Sequence, residues 1–120
     1  MSQPVKIMVV EDEAIVAMDL VMRLRKEGYA VAGTAADSKE AVELFTTSKP
    51  DIILMDIHIN GEKDGIETAR QLKQIQDVPI IFLTAFSQSE YVNRAKEIGP
   101  AAYLVRPFST ESLSTSIQIA

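Results

Sequence analysis

The strongest constraint on this chain is an unbroken alternation of two hydrophobic rhythms. Five short apolar runs, Val5–Val10, Tyr29–Ala35, Ile52–Met55, Pro79–Leu83 and Ala101–Val105, recur along its 120 residues. The cleanest of them carry no alternating polar positions, as in strands covered on both faces. Between the runs, apolar residues fall at helical spacing. Ile15, Met18 and Met22 share one side of the first segment, and Ala41, Leu44 and Phe45 one side of the second. Ile66, Ala69 and Leu72 do so in the third, and Tyr91, Ala95 and Ile98 in the fourth. Ser109 opens a fifth segment with Leu113 and Ile117 on one face; it is rich in serine and threonine and stops abruptly, which reads as a truncated helix.

Punctuation supports the division. Gly28 and Gly99 stand where the first and fourth helices should end, and glycine tolerates the left-handed cap conformation. Asp37-x-x-Glu40, Asp64-x-x-Glu67 and Ser87-x-x-Glu90 each read as an N-cap followed by a capping-box glutamate. Pro50 and Pro79 lie at strand entries, where a missing N–H costs least.

Strands alternating with helices imply a parallel sheet with right-handed crossovers and helices on both faces. Five such units predict an open, doubly wound (flavodoxin-like) sheet of order 2-1-3-4-5 with five helices, since barrel closure generally takes eight strands. With no repeats or linkers, residues 1–120 read as one domain. The absence of cysteine excludes disulfides, thiolate metal sites and Cys nucleophiles. Twelve basic against 17 acidic residues leave a net charge of −5, which speaks against nucleic-acid binding. The polar start Met1-Ser2-Gln3-Pro4 opens no signal peptide, and no apolar run is long enough to span a bilayer. The expected setting is cytoplasmic, away from membranes.

In an open sheet of this kind ligands bind beyond the carboxyl ends of the strands where strand order reverses, here between the first and third. The first strand runs into Glu11-Asp12-Glu13 and the third into Asp56. Singly, each has an ordinary explanation: acids in a helix's first turn complement its dipole, and aspartate is a common turn residue. Convergence changes the balance, because carboxylates crowded at one edge repel unless a cation joins them. A hard divalent ion, Mg2+ or Mn2+, answers that need, and Mg2+ takes one or two carboxylates while keeping several waters. The fourth strand ends in Leu83-Thr84-Ala85 and the fifth in Val105-Arg106-Pro107-Phe108, adding a hydroxyl and a guanidinium. Such a set suits phosphoryl transfer, which rests on positioning and on neutralising oxygen charge, with Asp56 the best-placed covalent acceptor.

Five segments in order resemble the response-regulator receiver (CheY-like) domains of two-component signalling, over essentially the whole chain. They are Val9–Glu13, Ile52–Asp56, Asp64-Gly65, Leu83–Ala85 and Gly99–Phe108. The resemblance implies that Asp56 accepts phosphate from a sensor histidine kinase or phosphotransfer protein. It implies a metal held by Asp12, Asp56 and the backbone carbonyl of His58, with Glu11 acting through a water. Thr84 would then hold the phosphoryl oxygens beside Ala85, and Tyr103 would follow Thr84 so that the face of helix four, strand five and helix five changes shape. That face would regulate an output domain or effector, with a phosphorylation-dependent homodimer as one outcome. Pro107 would follow a cis peptide bond. The domain would be a signalling module, assisting only its own phosphorylation and dephosphorylation, not an enzyme.

Three departures from that family stand out. Arg106 occupies the place of a lysine, and a planar fork is not a point charge. The loop His58–Lys63 is about one residue longer than usual and lacks a common proline. Ala101-Ala102 replaces acids that one branch of winged-helix regulators uses in dimer salt bridges, so dimerisation of that type is not expected. His58, the only histidine, is expected to face solvent near the phosphate. A degenerate receiver acting without phosphorylation is the main alternative, because of Arg106. Two rivals fit less well. An aspartate phosphohydrolase of the haloacid-dehalogenase type needs an acid at position 58, and a flavodoxin-like electron carrier needs a phosphate loop where Glu11–Glu13 would repel it.

Overall fold

The computed structural model describes residues 4–59, 61–85 and 89–120. The expected Ser87 cap and Asn60 of the long loop lie outside them. Strands β1 (Lys6–Val10), β2 (Ala30–Ala35), β3 (Ile52–Asp56), β4 (Ile80–Thr84) and β5 (Ala102–Val105) alternate with helices α1 (Ala14–Lys26), α2 (Ser38–Ser48), α3 (Gly65–Ile75), α4 (Ser89–Lys96) and α5 (Thr110–Ile119). The strands form one parallel sheet in the order β2-β1-β3-β4-β5, the doubly wound topology that the alternation predicts.

Period two along the strands sorts the core into two layers. Ile7, Val9, Leu54, Ile81 and Leu83 point toward α1 and α5, where Leu20, Leu24, Leu113 and Ile117 meet them. Met8, Val10, Ile53, Met55 and Phe82 point the other way, against Ala41 and Phe45 of α2, Ile66, Ala69 and Leu72 of α3, and Ala95 of α4. Because both faces are covered, β3 and β4 are buried at every residue, which explains their unbroken apolar runs.

Helix α1 corrects the expected face. Ile15, Met18 and Met22 are 83%, 64% and 69% exposed, while Ala17, Leu20 and Leu24 are buried. The segment is apolar around most of its circumference, so period 3.6 alone admits two stripes, and only the neighbouring sheet selects one. The other expected faces stand: Ala41 and Phe45 are buried in α2, and Ile66, Ala69 and Leu72 in α3.

The caps also differ in detail. Asp37 accepts the Glu40 amide at 2.9 Å, and the Glu40 carboxylate in turn accepts from Ala36 N. Asp64 accepts the Glu67 amide at 3.0 Å, but its second oxygen takes Arg94 of α4 at 2.9 Å. Ser109 caps α5 through Ser112 N.

Candidate functional site

Strand ends build the site. Glu11 follows β1 directly and its amide still pairs with Ala35 O, so the residue stays in the sheet and is buried. Helix α1 starts only after Glu13, an N-cap without a side-chain cap bond, and its first turn holds no acid. None of the pocket carboxylates therefore lies within the helix's first turn. Asp56 is the last residue of β3 and is also buried. One carboxylate oxygen each from Glu11, Asp12 and Asp56 lies within 4.8 Å of the others. Side chains separated by over forty positions thus meet at the predicted edge, and their donor chemistry, all hard oxygen, fits a divalent cation such as Mg2+.

The chain supplies one cation of its own. Arg106 Nη2 donates to Glu11 Oε2 at 3.1 Å, and Nη1 lies 3.7 Å from Asp56 Oδ2. The planar fork thereby spans two carboxylates at once. Glu11 nonetheless holds its proton far above the usual carboxylate range. Burial, and then the neighbouring Asp56 carboxylate, push its pKa up to about 7 against the pull of Arg106.

The Asp56 carboxylate and the backbone that follows it are held just as closely. His58 N donates to Asp56 Oδ1 at 3.1 Å, and Gly65 N donates to Ile57 O at 2.7 Å. Gly65 lies so near that a Cβ there would collide with the Asp56 carbonyl oxygen and stand 2.8 Å from Ile57 Cα. This explains physically why glycine follows Asp64: α3 begins directly over the phospho-acceptor candidate.

Thr84 is buried at the end of β4, and its side chain is hydrogen-bonded to the Tyr103 hydroxyl from β5. Ala85 follows, exposed. Burial raises the Tyr103 pKa despite the Thr84 bond. Arg106 N donates to Thr84 O at 2.7 Å, extending the β4–β5 ladder to the site, and the Arg106–Pro107 bond is cis.

One expectation needs correction. His58 does not face solvent: its Nε2 is buried, and its ring meets Tyr91 of α4 edge-on, centroids 4.8 Å apart at 79°. The Arg106–Glu11 pair and the His58–Tyr91 contact were not legible in the sequence. The first joins positions 95 apart, and no periodicity encodes such a pairing.

Fold and site together define a doubly wound α/β domain with an acidic pocket at its topological switch point. A family model described as response regulator receiver domain matches residues 7–118. The chain is 44% identical over 117 residues to the transcriptional regulatory protein PdtaR of Mycobacterium tuberculosis, covering 98% of this chain and 57% of that protein. The signal receiver domain of a modulated diguanylate cyclase from Desulfovibrio desulfuricans superposes with a TM-score of 0.92 at 36% identity, covering 98% of this chain and 94% of the other. Chemotaxis protein CheY4 of Vibrio cholerae gives 0.88 at 27% identity, covering 97% and 98%. The chain belongs to the response-regulator receiver family of two-component signalling. It spans little more than half the length of the curated relative it matches.

Proposed function

We propose that this domain accepts a phosphoryl group on Asp56 from a sensor histidine kinase or phosphotransfer protein, in a Mg2+-dependent step, and regulates an output through its α4–β5–α5 face. The observation that carries this reading is the meeting of the Glu11, Asp12 and Asp56 carboxylates at the sheet edge beside Thr84 and Arg106. Asp12 and Asp56 would hold the ion with the His58 carbonyl, and Glu11 would act through a water. When bound, the ion neutralises crowded carboxylates and phosphoryl oxygens. The Asp56 carboxylate attacks phosphorus, a P–O bond forms as the donor's P–N bond breaks, and the imidazole leaves with the electron pair. Arg106, already on the Asp56 carboxylate, turns to the phosphoryl oxygens, and the Thr84 hydroxyl donates to them. Tyr103, bonded to Thr84, follows.

Partner, output and setting follow from the same reading. The exposed stripe Ile15, Met18 and Met22 begins next to the acidic pocket, and an apolar patch there suits a phosphodonor helix that must bring its histidine to Asp56. Among the described residues no helix is long and apolar enough to cross a membrane. We place the domain in the cytoplasm, without nucleic-acid contacts of its own and without catalysis beyond its own phosphorylation and dephosphorylation.

One observation favours a second reading, a receiver that works as an interaction module without phosphorylation: Arg106 already bridges Glu11 and Asp56. Acetyl phosphate with Mg2+, followed by intact mass, separates the two. Mass gain that Asp56→Asn abolishes supports the phospho-acceptor. No gain at saturating phosphodonor overturns it in favour of the module.

A further inference from the structure

The contact between His58 and Tyr91 carries a role that lies outside the acidic pocket. His58 serves Asp56 through its backbone: the amide donates to Asp56 Oδ1 at 3.1 Å, and on the proposed function its carbonyl faces the metal. A residue with both tasks needs its backbone held, and Ile57 before it is buried, its amide on Leu83 O and its carbonyl on Gly65 N. Ile59 is buried one residue on, and the His58 ring itself packs edge-to-face on Tyr91 at 4.8 Å and 79°, inside the range favoured by aromatic pairs. Tyr91 is half-buried against the same core layer as Tyr103. Among the described residues α4 buries only Ala95 fully, so this helix has few other apolar holds.

We propose that Tyr91 is a positioning residue for the phospho-acceptor loop. Its ring fixes His58, and through His58 the amide on Asp56 and the carbonyl presented to the metal. The same contact ties α4 to the site, separately from the Thr84–Tyr103 bond that joins β4 to β5. A shift of the loop when Asp56 is modified therefore reaches α4 directly through the ring pair.

This inference rests on the phospho-acceptor reading, and NMR titration of the full chain, first with Mg2+ and then with beryllofluoride, tests the two separately. Tyr91→Leu should weaken Mg2+ binding roughly 2- to 10-fold, the equilibrium equivalent of one aromatic pair. It should also shrink the beryllofluoride-induced shifts of α4 amides while those next to Thr84 persist. Tyr91→Phe, which keeps the ring, should restore both. His58→Leu should act like Tyr91→Leu, and the double variant should be no worse than either single one. A wild type that responds normally while Tyr91→Leu binds Mg2+ equally well, or effects that simply add, overturns the positioning role alone. A wild type that binds no Mg2+ overturns both readings.

Discussion

The centre of the sheet and its β5 side are built to different standards. Every residue of β3 and β4 is buried, and the β3 end presents an Asp56 carboxylate that accepts from His58 N on a backbone held by Gly65. In β5 no residue is buried, and among the described residues α4 buries only Ala95 fully, with charged contacts joining α4 and the turn after it to α3 and its cap. Arg94 reaches Asp64 and Glu67, Arg70 lies 3.5 Å from Glu97, and Lys73 donates to the carbonyls of Ile98 and Gly99. Exposed ion pairs of this kind contribute little stability each, whereas buried apolar packing contributes kilocalories. On the proposed function, the contrast suits a rigid centre that keeps the acceptor geometry fixed and a more loosely packed side that responds to it.

The sharpest way to break the comparison is to hollow out each half. Leu54→Ala, in the fully buried centre, should cost about 3–4 kcal/mol, while Val105→Ala in β5 should cost under about 1 kcal/mol, both read from urea midpoints. Equal costs would mean that the β5 side is as tightly packed as the centre. Next in size, Gly65→Ala forces a Cβ into the Asp56 carbonyl and should cost about 3 kcal/mol, with amide shifts concentrated at residues 56–58. A variant as stable as wild type would show that α3 can lift away from β3 cheaply.

A third prediction concerns the buried acid. Glu11 binds its proton more tightly folded, near 7, than at its ordinary value of 4.5. The folded state thus carries the extra proton between those values, and stability from this group is complete below about pH 4.5 and gone above about pH 7. The decline should be on the order of 2–3 kcal/mol without metal and absent from Glu11→Gln. Added Mg2+, which favours the ionised carboxylate, should flatten it. A pH profile identical in wild type and Glu11→Gln would contradict this. The smallest effect belongs to the α3–α4 clamp: Arg94→Gln should lower stability by about 0.5 kcal/mol or less yet speed amide exchange selectively in α4.

Much of the fold was legible because it follows from local patterns. Apolar runs without alternation marked the central strands, and Asp37, Asp64 and Ser109 capped helices as their side-chain chemistry requires. The pocket acids could be named because open parallel sheets place ligands at one edge, so the residues ending β1 and β3 had to meet there. The face of α1 was not legible, since apolar residues surround it and the choice between Met18 and Leu20 depends on what lies opposite. Nor was the surrounding of His58, whose partner Tyr91 comes from another element.

What the sequence determined by itself is therefore whatever depends on a residue and its near neighbours: strand, helix and cap, and the order of chemical groups along the chain. Only the tertiary structure decided which groups touch. It placed Arg106 across Glu11 and Asp56, buried Glu11 until its proton stays on near neutral pH, and set Tyr91 against His58. Each of these depends on distances and on the loss of water between segments far apart in the chain, and no periodicity records either quantity.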